Sequence, residues 1–306
     1  MRNSMMRQAS VVTGILALAG CTTTRVGSGD DHSPESHAST PAASAVAASN
    51  ATATATTSIP AGAQTATARL AASTRHGEYV MIKSGSDSLR AWVVYPERKT
   101  KAPVVVVVHE IFGLSDWVRG VADQLAADGF IAIAPDFLTM KEIPAGPDSI
   151  RARAISTTIR TLETAFVQRQ IEAAARYAMA LPAAEQKYGV VGFCWGGSAS
   201  FQHAIHSASL GASVVYYGAS PPAASLASAK APVLGLYGSN DARVNATIAP
   251  ADTAMRALGK TYTYHIYEGA GHGFLRQQNA ANGANALAAQ QAWPATIAWF
   301  RRYLGA

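Results

Sequence analysis

Residues 104–108 are five consecutive valines within the run Pro103 to His109. Valine is stiff about χ1 and suits an extended backbone. A strand with one wet face alternates apolar and polar residues, whereas one that is apolar at every position has to be covered on both faces. The structure that covers both faces is a largely parallel sheet with helices on either side. The rest of the chain supplies its partners. "YVMIK" and "LRAWVVYP" read as two strands joined by a turn at 85–88, and "FIAIAP", "KYGVVGF", "ASVVYYG", "APVLGLYG" and "TYTYHIYE" as five more. Helical patterns lie between them: 116–129, closed by Gly129, a long one over 160–181, a small-residue helix over 196–209, and a final one through "AWPATIAWFRRYL". The expectation is one α/β domain over 75–306, with a mostly parallel eight-stranded sheet and helices on both faces.

The first 74 residues have a different texture. Arg2 and Arg7 precede an apolar stretch ending Leu18-Ala19-Gly20-Cys21. A basic start, a short apolar run and small residues at the end make an export signal over 1–20. That run is far short of the ~20 residues that cross a bilayer. The order Leu-Ala-Gly-Cys resembles a bacterial lipoprotein box, which implies a lipid on Cys21, and Thr22 after it implies the outer membrane, facing the periplasm. The plainer alternative is an ordinary signal cut nearby, with Cys21 discarded or free. From 21 to 74 the chain is mostly Ala, Ser and Thr without Phe, Tyr or Trp, a composition that buries too little apolar surface to order itself and reads as a tether.

A net charge of +6 raises the question of nucleic acid, but the bases are scattered and no basic run interleaves with aromatics, so no nucleic-acid partner is expected. The chain has two cysteines. With Cys21 lipidated, Cys194 has no partner, and it is then either a buried bystander or a reactive thiol. Its setting, Gly192-Phe193-Cys194-Trp195-Gly196 between a strand and a helix, has the form of a nucleophile elbow with Cys in place of Ser. The N-terminus of the following helix is expected to favour the thiolate. Such a nucleophile needs a carboxylate and then a histidine further along the chain. Asp241 in "GSNDARV" and His272 in "EGAGHGF" follow strands in that order. His203, His206 and His265 lie within a helix or strand, where packing or solvent is the simpler account. Glu110, directly after the valine strand, needs a partner or a cleft, or is a salt bridge on the rim. Backbone N–H groups of Ile111 and Trp195 fall where an oxyanion hole forms.

"HEIFGL" at 109–114, "APD" at 134–136, "GFCWGG" at 192–197, Asp241 and "GAGHGF" at 269–274 together resemble the dienelactone hydrolase family of the α/β-hydrolase fold. The resemblance runs from about Tyr79 to the C-terminus. It implies a hydrolase of carboxylic esters or lactones with nucleophile Cys194, base His272 and orienting carboxylate Asp241, a thioester intermediate, and no metal or cofactor. It also implies that Glu110 takes part in activating the thiol, and that Arg276 pairs with Glu110 and helps hold a substrate carboxylate. A second such arginine is open among Arg151, Arg153 and Arg160, the segment 138–156 is a candidate cover, and the oligomeric state is open. The reading from another class is a membrane-tethered scaffold that keeps the fold without catalysis.

Overall fold

The structure, a computed structural model, describes residues 58–305. The export signal, Cys21 and most of the expected tether lie outside the described residues. Eight strands form one sheet: β1 Gly77–Ser84, β2 Asp87–Val94, β3 Ala102–Val108, β4 Ile131–Asp136, β5 Ala184–Phe193, β6 Ala212–Tyr216, β7 Val233–Asn240 and β8 Tyr262–Gly271. Their order is β1-β2-β4-β3-β5-β6-β7-β8. β2 runs antiparallel to β1 and β4, and all later pairings are parallel. The fold is the expected α/β architecture.

The valine run behaves as its composition demands. Val104, Val106 and Val108 join one core, Val105 and Val107 the other, and all five are fully buried. The first core is roofed by α4 Thr164–Met179, α5 Trp195–His206 and α7 Ile248–Ala257. The second is roofed by α2 Asp116–Ala127 and α8 Ala284–Leu304. Between β7 and α7 stands the single turn α6, Ala242–Asn245.

Three boundaries differ from the sequence expectation. The β1–β2 turn is shorter, because Ser84 already pairs with Asp87, and Gly85 supplies the positive φ of 64° that the tight connection needs. The long pattern over 160–181 is interrupted at 161–163, and a separate, largely exposed helix α3, Asp148–Arg160, occupies the expected cover segment. The described part of the tether is the third. Residues 58–74 carry a short helix α1, Ala66–Ala71, whose Ala66 is buried against α2.

Composition misleads here because polar contacts hold this segment as much as apolar ones. Arg69 donates to Gln124 and to the Ile59 carbonyl, and Ser73 donates to the Asp123 carboxylate, which Arg75 also grips through two hydrogen bonds. Gln278 donates to the Pro60 carbonyl at 2.8 Å, and the Ala63 N–H donates to the Arg276 carbonyl at 2.8 Å. The folded unit therefore begins before residue 75.

Candidate active site

The C-terminal ends of β3, β5, β6, β7 and β8 bring the candidate residues together, at the sheet edge where open α/β sheets place their sites. The registers do most of the work. Phe193 of β5 pairs with Tyr216 of β6, so the next residues, Cys194 and Tyr217, leave the sheet side by side. Asn240 of β7 pairs with Gly271 of β8 after a register shift, so Asp241 and His272 leave together as well.

Cys194 has φ 58° and ψ −116°, backbone values a side-chain-bearing residue rarely adopts. It sits between a strand and α5, as an elbow requires. The flanking glycines are a steric need. A Cβ on Gly192 would strike the Gly196 backbone, and one on Gly196 would strike the carbonyls of Val108 and His109. α5 can therefore start close against the end of β3, which sets the loop after β3 beside the sulfur.

His272 Nδ1 lies 2.5 Å from Asp241 Oδ2. Asp241 is buried and His272 half-buried, so the pair has one shielded and one accessible end. After His272 the chain turns at Gly273, φ 78°, whose carbonyl accepts from the N–H groups of Arg276 and Gln277. Asn285 of α8 fixes this loop from behind, accepting from the Gly271 N–H and donating to the Gln277 carbonyl.

Glu110 is buried, not a rim residue. Arg276 Nε lies 3.2 Å from its Oε2, and the guanidinium rests 4.4 Å from the centroid of the Phe112 ring. The two charged groups meet as a close ion pair, without a well-aligned hydrogen bond between those atoms. Burial raises the Glu110 carboxyl to about 7, and attraction to Arg276 only partly opposes it.

The sulfur departs from the sequence expectation of a thiolate. Burial of Cys194 raises its pKa first, and the Glu110 and Asp241 charges add to the rise. The Trp195 backbone N–H and Arg243 pull the other way without prevailing. The N-terminus of α5 does help the thiolate, but desolvation is the larger effect, so the resting group is a thiol.

A cavity of about 410 Å³ opens on Cys194, lined also by Ile111, Arg160, Trp195, Ser198, Tyr217 and Arg243. Of the three arginines left open by the sequence, Arg160 lines this cavity. Arg151 instead borders a neighbouring hollow with Arg90, Phe112 and Asp136. No residue of the expected cover segment 138–156 lines the Cys194 cavity; Leu138 and Ile155 stand over Gly113.

Two further residues at the site, Tyr217 and Arg243, carry no motif of their own in the sequence. Tyr217, at φ 41°, is buried with its ring 5.2 Å from that of His272, and its hydroxyl has no hydrogen-bond partner. Burial holds the phenol well above its ordinary range, and the Glu110 charge adds to the rise. Arg243 lies two residues beyond Asp241. The signal for both was position: Tyr217 directly follows β6, and Arg243 lies in the turn that follows β7.

The Ile111 N–H has no hydrogen-bond partner among the described residues, so both expected oxyanion donors border the cavity with the sulfur. Among the described residues no cluster of three or more His, Cys, Asp or Glu is set to hold a metal, and no helix is long and apolar enough to cross a membrane.

Residues 89–304 match the model of the dienelactone hydrolase family. A protein of Methylorubrum extorquens named "Putative carboxymethylenebutenolidase" is 32% identical over 80% of this chain and 87% of its own length. A Bradyrhizobium protein named "Probable 2-oxo-3-(5-oxofuran-2-ylidene)propanoate lactonase" is 28% identical over 77% of this chain and 98% of its own. The crystal structure of a "Putative Dienelactone Hydrolase" from Klebsiella pneumoniae superposes with a TM-score of 0.67 at 27% identity, over 76% of this chain and all of that one. The elbow, the strand-end pairing and these likenesses agree, and the chain belongs to the dienelactone hydrolase family.

Proposed function

We propose that this protein hydrolyses carboxylic esters or lactones through a Cys194–His272–Asp241 triad and a thioester intermediate. The observation that carries the reading is a cysteine on a strained elbow, opening on a cavity, with a histidine–carboxylate pair that the register of β7 and β8 brings together at the same sheet edge, its imidazole 5.2 Å from the ring of Tyr217, which lines that cavity. The family and the lactonase named above support the ester or lactone class.

In this reading the substrate carbonyl oxygen accepts from the N–H groups of Ile111 and Trp195. The thiol proton passes to His272 Nε2 as sulfur attacks the carbonyl carbon. The C–O bond then breaks, and His272 returns the proton to the departing oxygen, leaving a thioester on Cys194. Water attacks that thioester with His272 again taking its proton, and the acid is released as the proton returns to sulfur. Asp241 holds the imidazole in the tautomer that leaves Nε2 free, and stabilises the imidazolium.

Glu110 controls the cost of the first step. Its negative charge disfavours thiolate, so protonation of Glu110, or firmer pairing with Arg276, makes the sulfur easier to ionise. Two cationic side chains at the cavity, Arg160 and Arg243, favour an ester that carries a carboxylate. The same proposal places the enzyme at the cell envelope, lipid-anchored through Cys21, on the strength of the "LAGC" sequence alone.

The direct test is incubation with a panel of simple esters and enol lactones, followed by intact-mass analysis after rapid acid quench. The expected result is turnover with an acyl adduct on Cys194, and neither in Cys194→Ala. Undiminished turnover in Cys194→Ala would remove the site.

A further inference from the structure

His109 plays no part in the scheme above, yet it touches both arms of the oxyanion hole. It is fully buried at the end of β3. Its Nδ1 lies 2.7 Å from the Glu110 carbonyl oxygen. A carbonyl can only accept, so Nδ1 carries the hydrogen. Nε2 has no partner, and burial lowers the affinity of the ring for a second proton, so the imidazole is neutral with a single N–H. The ring lies 5.8 Å from that of Trp195 in a stacked arrangement, and 5.1 Å from Phe137 edge-on, while Phe137 also meets Trp195 at 5.7 Å.

The peptide joining Glu110 to Ile111 is a rigid plane in which the C=O and N–H point in opposite directions. Whatever aims the Glu110 carbonyl therefore aims the Ile111 N–H the other way. Two groups hold that carbonyl: His109 Nδ1 at 2.7 Å and the Gly113 N–H at 3.3 Å. The imidazole is the closer of the two. Its stacked face meanwhile braces Trp195, whose N–H is the second donor.

We infer that His109 is a positioning residue that sets the orientation of the Ile111 N–H, and so the transition-state stabilisation in ester hydrolysis, without touching substrate. The inference rests on the hydrolase reading for its kinetic consequence, but not for its geometry. A donor fixed beforehand in the direction of a developing oxyanion lowers the barrier more than it tightens ground-state binding, so the effect belongs in kcat rather than KM.

Asparagine and glutamine separate the two ring nitrogens. The carboxamide nitrogen of Asn reaches about where Nδ1 stands, and that of Gln about where Nε2 stands. His109→Gln should lower kcat tenfold or more, with KM changed less than twofold. His109→Asn should recover most of that loss. Amide resonances give a readout independent of activity: the Ile111 N–H should shift clearly in His109→Gln and stay near its wild-type position in His109→Asn. Alkylation of Cys194 by iodoacetamide, which needs no oxyanion hole, should proceed at one rate in all three proteins and thereby certify the fold around the sulfur. Equal kcat in the Asn and Gln variants, a loss carried by KM, or an unmoved Ile111 resonance in His109→Gln would each overturn the inference. If no ester is turned over by the wild type while the Ile111 resonance moves as described, the positioning stands and the hydrolase reading fails.

Discussion

Glu110→Gln isolates the cost of a buried carboxylate, because the amide keeps the shape and removes the charge. The folded protein holds this carboxyl at about 7 against an ordinary 4.5. Between those values the native state binds a proton that the unfolded chain has released, so stability falls as pH rises from about 4.5 through 7. Above that window the ionised group destabilises the fold by roughly 3 kcal/mol, at about 1.4 kcal/mol for each tenfold in proton affinity. Glutamine carries no such penalty. The two proteins should therefore melt together near pH 4, and the variant should gain progressively above pH 5. By pH 8 to 9 its advantage should be on the order of 5–10 °C. The assay is paired thermal melts across that range, read as the difference between variant and parent so that other titrating groups cancel. A difference flat with pH, or a parent that becomes the more stable at alkaline pH, would show that Arg276 compensates the charge fully and that burial does not set its pKa.

Cys194→Ser should lower kcat/KM on the order of a hundredfold, equivalent to about 2.7 kcal/mol in the barrier, because a hydroxyl is far harder to ionise than a thiol; near-parental rates would mean that His272 activates any nucleophile at this elbow. Asp241→Asn should leave a measurable residue of activity, as the imidazole loses its orientation but not its basic nitrogen, and loss as complete as in His272→Ala would contradict that division. A chain starting at Arg75 should melt several degrees below one starting at Ser58, since it exposes the α2 surface under Ala66 and leaves Gln124 without Arg69; equal midpoints would show that the N-terminal segment adds nothing. Cys21→Ala should release the protein from membranes, checked by fractionation, and a mature chain found to begin well beyond Cys21 without lipid would refute the anchor.

What was readable in the sequence follows from how local each cause is. The valine strand announced its two covered faces, and the elbow announced itself because only glycine fits at Gly192 and Gly196. Asp241 and His272 could be found from strand ends and chain order. The state of the sulfur was out of reach, because it depends on how deeply Cys194 sits and how near Glu110 comes. Both are set by chain segments far apart in sequence. Tyr217 was hidden for a related reason: only the pairing of β5 with β6 makes it a neighbour of Cys194. The helix α1 escaped notice because an Ala/Ser/Thr-rich stretch reads as solvated by composition, while its order comes from Gln124, Asp123 and the Arg276 loop.

The raised pKa of Cys194 bears on the lifetime of the enzyme as well as on its rate. Thiolates, not thiols, attack peroxides and disulfides, and exposed sulfur does so most readily. A cysteine that is half-buried, and kept protonated by desolvation and the nearby carboxylate, is slow to enter the chain of sulfenic, sulfinic and sulfonic acids. On the proposed mechanism, ionisation is deferred to the moment when an ester occupies the cavity and shields the sulfur. In surroundings without a reducing thiol pool to rescue an oxidised side chain, that deferral decides how many turnovers one molecule completes before it is lost.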